Sequence, residues 1–138
     1  MKKIYALGLG LLFLASCASD DGGSSVDESQ LTKKWYYVSS VYSGITIPYD
    51  DHEACGKDYI EFVTGGIMRD VDVWDCEEDV YMGIWSLDGN KLTVGSDGES
   101  SVVTISKLNE TTLQVKAKYD LDEDGDEETV VQNFTSIE

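Results

Sequence analysis

Positive charge is scarce in this chain: 10 Lys plus Arg stand against 27 Asp plus Glu, a net charge of −17 over 138 residues. Binding a phosphate backbone takes a basic patch. With Arg69 the only arginine and the lysines scattered, nucleic acid is excluded as a partner. No apolar run reaches the roughly 20 residues of a membrane-spanning helix; the leading one covers residues 4–14 and then gives way to polar sequence. No stretch holds a 3.6-residue apolar period over helical length, which excludes a helical bundle, and no internal repeat marks a solenoid. Nothing marks a second domain, so one core must serve the whole chain.

What the chain does have begins at its N-terminus. Met1, Lys2 and Lys3 precede the apolar residues 4–14, and the small residues Ala15, Ser16 and Cys17 follow. A basic start, a short apolar core and a small-residue cleavage site form the layout of an export signal. Leu14-Ala15-Ser16-Cys17 resembles the bacterial lipobox. That resemblance implies a diacylglycerol thioether on Cys17, cleavage before it, and N-acylation by a fatty acid such as palmitate. One acyl chain binds a membrane only marginally, at about 0.8 kcal/mol per buried CH₂, so two or three chains make the anchor stable.

Residues 1–16 are therefore read as a signal peptide and 17–28 as the lipidated cysteine with a flexible tether. Ala18-Ser19-Asp20-Asp21-Gly22-Gly23-Ser24-Ser25 is too polar and glycine-rich to bury a core. The pair Asp20-Asp21, so close to Cys17, is similar to the signal that sends lipoproteins of Bacteroidota to the outer face of the outer membrane. The plainer reading is a tether that is acidic because it is solvated. Losing residues 1–16 removes two lysines and no acids, which leaves 8 basic and 27 acidic side chains and a net charge of −19. Such a surface keeps a protein soluble and repels anionic headgroups, so membrane contact is expected through the lipid on Cys17 alone.

With Cys17 assigned to lipid, Cys55 and Cys76 remain as an even pair outside the cytoplasm, which suggests a disulfide. Closing a loop of about 20 residues stabilises a small domain by roughly 3 kcal/mol in the chain-entropy model. A metal pair and a reactive thiol are the competing readings, and only His52 is at hand to complete a zinc site.

From residue 29 to 138 the chain breaks into short β-rich runs separated by glycine, aspartate and asparagine, and it reads as all-β. Leu113, Val115, Ala117 and Tyr119 alternate with Gln114, Lys116 and Lys118, a strand with one wet face. Ile60 and Phe62 share a face in 59–63, as do Val71 and Val73 in 69–75. Further runs cover 81–87, 91–94, 102–108 and 129–134, while the first, 35–42, is apolar on both faces and leaves its register open. Thr64-Gly65-Gly66, Asp88-Gly89-Asn90, Ser96-Asp97-Gly98 and Asn109-Glu110 fall between runs and suit hairpins. About eight antiparallel strands in up-and-down order can close into a small barrel with no free edge. The apolar segment 42–49, with Ile45, Ile47 and Pro48, is expected to be a long loop over the barrel mouth or against a partner.

Leu31-Thr32-Lys33-Lys34-Trp35 resembles the opening of the lipocalin-like lipoproteins of Bacteroidota, whose first strand starts with Leu-x-Gly-x-Trp; Lys33 stands where glycine is usual. The resemblance continues through Cys55, Ile60-Glu61-Phe62, Gly65-Gly66, Cys76, Gly83-Ile84-Trp85-Ser86-Leu87, Asn90-Lys91-Leu92, Val103-Thr104-Ile105 and Leu108. It implies an up-and-down β-barrel with a cross-link between the two cysteines, in some members an interior pocket for an apolar molecule, and no enzyme activity. It supplies no shared ligand.

Trp35 and Trp85 are expected to fill the core. In a hollow barrel they line a cavity together with Ile60, Phe62, Val71, Val73, Leu92, Val103, Ile105 and Val115. Strands this short leave room for one small ligand or none, and a filled core is the stronger expectation. Asp120-Leu121-Asp122-Glu123-Asp124-Gly125 places oxygen ligands at positions 1, 3 and 5 of a Ca²⁺ loop with glycine at 6. Position 12 is Val131 rather than glutamate, so the segment suits no EF-hand but a weaker Ca²⁺ hairpin of Asp120, Asp122 and Asp124, with Asp126 or Glu128, or else a solvated turn. His52, beside Asp50, Asp51 and Glu53, invites a general-base or metal reading. No activated nucleophile can be paired with it, and a surface loop is its expected place. Tyr42, Tyr49, Trp74 and Tyr81 suit either sugar stacking or cross-strand packing. The expectation is a non-enzymatic, lipid-anchored barrel in the outer membrane that binds a small apolar or amphipathic molecule. The alternative is a filled barrel that acts through its surface on an envelope protein partner.

Overall fold

The structure, a computed structural model, describes residues 25–138. The segment 1–16 expected to be a signal peptide, Cys17, and the expected tether up to residue 24 lie outside the described residues. A one-turn helix, α1 (Glu28–Leu31), leads into β1 (Lys34–Tyr42), β2 (Ile45–Pro48), β3 (Tyr59–Val63), β4 (Ile67–Trp74), β5 (Glu77–Asp88), β6 (Lys91–Ser96), β7 (Glu99–Leu108), β8 (Thr112–Tyr119) and β9 (Glu128–Thr135). The strands run β2-β1-β3-β4-β5-β6-β7-β8-β9, all antiparallel, and a β1–β9 pairing closes the sheet. Eight strands, β1 and β3 to β9, make the closed barrel, as the run count predicts.

Two strands depart from the sequence reading. β2 forms where a long loop is expected, because Ser43 and Gly44, with φ of 49° and 77°, make a two-residue turn. Such turns match the twist of a hairpin, so Ile45 pairs with Tyr42 and Ile47 with Ser40. β5 starts four residues early, at Glu77. Asp75 and Cys76 also adopt positive φ, and the acidic Glu77, Glu78 and Asp79 continue a hairpin that composition hides.

One core fills the lower barrel: Trp35, Phe62, Trp85, Leu92, Ile105, Leu113, Val115 and Phe134 pack together with Leu31 of α1. Each large apolar side chain taken out of water is worth about 1.5–3 kcal/mol. α1 plugs this end. Leu31 is fully buried, its carbonyl accepts the Trp35 Nε1–H at 2.9 Å, and Trp85 Nε1–H donates to the Val63 carbonyl at 3.0 Å.

Val71 and Val73 share a face, as alternation requires, but it is the outer one. Val71 lies opposite Tyr59, and with Tyr36 these form a separate small cluster outside the barrel, whereas Met68 and Asp70 point inward. Val73 is covered by the backbone of Gly56. Both valines are buried without lining the interior, which corrects their placement as cavity residues. A loop folded over the outer wall mimics the apolar signature of an inner face.

That loop, residues 49–58, solves a closure problem. β3 pairs with β1 only over Lys34, Trp35 and Tyr36, and β2 takes over from Ser39 to Tyr42. Between them the Tyr37 N–H donates to the Asp58 carbonyl and the Val38 carbonyl accepts from the Tyr49 N–H. Asp58, only 2% exposed, then joins β1 to β4: its Oδ1 accepts the Val73 N–H at 2.8 Å, and its Oδ2 accepts the Tyr49 hydroxyl. Its own N–H donates to His52 Nδ1 at 3.2 Å, and His52 Nε2 donates to the Tyr37 carbonyl at 2.8 Å. His52 is thus half-buried and bonded at both ring nitrogens rather than loose on a surface loop. The disulfide Cys55–Cys76 pins the same loop to the β4–β5 turn, which removes the free-thiol and metal-pair readings of these cysteines.

Replacing Asp58 by Ala strands the Val73 N–H and the Tyr49 hydroxyl, and burying an unsatisfied polar group costs about 1–3 kcal/mol. Asp58→Ala is therefore expected to lose about 3 kcal/mol in urea unfolding, and Asp58→Asn, which keeps both partners, far less. Equal stability of the two variants would show that the bridge does not hold the wall.

Candidate functional site

Above the packed floor the barrel is hollow. A cavity of about 190 Å³ opens between Phe62, Leu92, Val103, Leu113, Val115 and Phe134 below, and Tyr37, Ser101, Tyr119 and Gln132 above, with Ile60 and Val94 on its sides. Apolar cavities of roughly 150 Å³ hold one benzene-sized group. Five of the ten residues expected from sequence line it: Ile60, Phe62, Leu92, Val103 and Val115. Trp35, Trp85 and Ile105 are buried in the floor beneath. Leu113 and Tyr119 share the alternating face read from sequence, so their signal was present. Tyr37, Ser101 and Gln132 carry none, because polar residues at inward positions look like solvent-facing ones until register is known.

Tyr37 sets the polar side of the cavity. Its ring stacks on Tyr49 at 5.0 Å and packs against Phe134 at 5.0 Å, and its hydroxyl donates to Asp70 Oδ1 at 3.0 Å. Burial pushes the Tyr37 phenol well above its ordinary value, with Asp70 adding to it. Burial raises the Asp70 carboxyl too, against the Tyr37 hydrogen bond and with Asp72 and Asp58 pushing the same way. The register puts Asp70 opposite Ile60 on one side and Tyr81 on the other.

Tyr49 is a packing residue, stacked on Tyr37 and tilted against His52 at 4.8 Å. Trp74 and Tyr81 are open to solvent at 67% and 63% exposure, on the inward register of β4 and β5, Tyr81 opposite Asp70 and Trp74 further along β4. Among the acids of the β8–β9 connection, Asp120, Asp122 and Asp124 bring carboxyl oxygens within 4.8 Å of one another, while Asp126 and Glu128 stand apart from that group. Asp120 accepts the Gly125 N–H, Asp122 the Asp124 N–H, Asp124 the Asp126 N–H and Glu128 the Leu121 N–H. These side chains cap their own turn. The arrangement as a whole can hold a small molecule by apolar contact below, with hydrogen-bonding and charged groups at its upper end.

A raised native carboxyl binds its proton more readily than the unfolded chain does. Its contribution favours folding below the ordinary aspartate value of 3.8 and is lost as pH rises through the native value. Asp70→Asn keeps the acceptor for Tyr37 and removes the charge. Its urea midpoint is expected to exceed the parent's at neutral pH, with the gap closing below pH 3.8. A gap unchanged by pH would mean that burial of this charge does not strain the fold.

The comparisons agree with the barrel. A family model described as a lipocalin-like domain matches residues 31–115. A lipocalin-like protein from Bacteroides uniformis has a similar structure, with 14% identity and a TM-score of 0.56 over 77% of this chain and 97% of that one. An uncharacterized protein from Bacteroides eggerthii is similar at 10% identity and a TM-score of 0.55, over 76% and 98%. No curated protein matches the sequence. With a family model over most of the barrel, from Leu31 into β8, the chain belongs to the lipocalin-like domain family.

Proposed function

We propose that this protein is a non-enzymatic, lipid-anchored envelope protein that binds a small apolar or amphipathic molecule inside its barrel. The observation that carries the reading is the apolar cavity of about 190 Å³ above a sealed floor. Drug-sized ligand sites run to roughly 300–1,000 Å³, so the enclosed part of the ligand is about one ring or a short branched chain. The lipobox-like Leu14-Ala15-Ser16-Cys17 and the acidic Asp20-Asp21 after it support lipidation of Cys17 and an address on the outer membrane, facing the cell surface.

One further observation favours a second role through the outer wall. Met82 and Ile84 are 58% and 66% exposed, and together with Val80 and Ile67 they make an outward apolar patch across β4 and β5. Patches of this kind mark surfaces that meet a partner. Binding inside and docking outside use different faces and are compatible.

Two results are expected. Native mass spectrometry of residues 18–138, purified without detergent, shows an organic mass that is lost on denaturation; its absence even after incubation with benzene-sized apolar probes would defeat the binding reading. Cys17→Ala moves the protein from the membrane to the soluble fraction and abolishes the acylated N-terminal peptide; unchanged membrane partition would remove the lipid anchor.

A further inference from the structure

The inward register of the strands carries charge of one sign only. The inward register carries Asp70, Asp72 and Trp74 on β4, Glu77, Asp79 and Tyr81 on β5, and Glu128 on β9. Every basic residue of the strands faces out. Lys34 lies over the outer ring of Tyr59 at 4.0 Å, Arg69 pairs with Glu61 at 2.7 Å, and Lys91 donates to Thr104 at 2.8 Å. Lys116 and Lys118 alternate with the inward Val115 and Ala117, and Lys107 is opposite the outward Gln114. A carboxylate or phosphate ligand seated in the cavity would meet Asp70 behind the Tyr37 wall and the acids of the open end, and no strand base.

From this we infer that the ligand is an organic cation: an apolar group in the cavity joined to a protonated or quaternary amine held between Asp70 and the mouth aromatics. The inference rests on the binding reading above and names its ligand class. Asp70 is placed for it. Its Oδ1 is taken by the Tyr37 hydroxyl of the cavity wall, and Oδ2 accepts no hydrogen bond among the described residues. Tyr81 is opposite Asp70 and Trp74 is four residues on, both with open rings, and a cation over an aromatic face is attracted by the ring quadrupole. Asp72 and Asp79, directly opposite each other one step higher, add negative potential along the entry path. The cavity is too small for a long acyl chain, and its walls lack the base that a fatty acid headgroup would need.

The test compares three probes with a benzyl group on a tetrahedral head, on residues 18–138, which retain the whole described barrel: benzyltrimethylammonium, neopentylbenzene and benzylsulfonate. Affinity is read by titration, and place by chemical shifts of the Phe62 and Val103 resonances. The cation is expected to bind at least about tenfold more tightly than the anion, and to keep that preference at about 0.5 M salt, where exposed charges are screened. Asp70→Asn is expected to reduce the preference to within about threefold while the neutral probe binds as before. Equal binding of all three probes in the cavity overturns the charge inference and leaves the binding reading standing. Cation binding that disappears in salt and ignores Asp70→Asn is surface attraction and also overturns it. Binding of none of the probes, with the cavity resonances unmoved, brings down both.

Discussion

Asp58 is the residue on which closure of this barrel depends. β3 is too short to cover its neighbours, leaving the upper part of β1 and of β4 without a shared partner strand. A polar backbone left bare at such a gap is costly, because buried N–H and C=O groups must be paired. Asp58 fills the gap with all four of its polar groups: N–H to His52, carbonyl to Tyr37, and one carboxyl oxygen each to Val73 and Tyr49. One residue, through its backbone and its carboxylate, thus stands in for the missing strand residues. The disulfide and the packing of Gly56 on Val73 hold the loop that delivers it.

The asymmetry of the barrel follows from this repair. Its lower end is closed by α1, Leu31 and the two tryptophans, whose indole N–H groups find carbonyls. Its upper end is built from the repaired wall, where Tyr37 and Tyr49 stack inward and Asp70 is drawn to the Tyr37 hydroxyl. The elements that mend the wall therefore also shape the polar side of the cavity. Strand alternation does the rest. A residue's parity along a strand decides whether its charge meets the ligand or the solvent, and parity sends the acids of β4 and β5 inward and the strand lysines outward.

Much of the architecture was legible because short runs, period-two alternation and glycine turns act locally. The hairpin turns at Gly65-Gly66, Gly89, Asp97-Gly98 and Asn109 stand where their residues suggest. β2 escapes a one-dimensional reading because it is only four residues long and ends in Pro48, and because the turn before it depends on Ser43 adopting a positive φ that serine rarely favours. The acidic start of β5 was hidden for a different reason: its hairpin partner, rather than its own propensity, makes it a strand. Within the candidate site, the apolar half was readable and the polar half was not. Phe62 and Val103 announce a core, whereas Gln132, Ser101 and Asp70 look like surface residues in any one-dimensional reading.

The sequence alone determined that this is an acidic all-β domain with a cysteine pair and about eight strands, because each of these rests on local pattern or composition. Tertiary structure alone decided that Val71 and Val73 pack outside the wall, that Asp58 bridges β1 and β4, and that Asp70 turns inward to meet the Tyr37 hydroxyl. Those facts depend on register and on a loop meeting strands far from it in the chain. Alternation tells which residues share a face, but only the closed sheet tells which face is in.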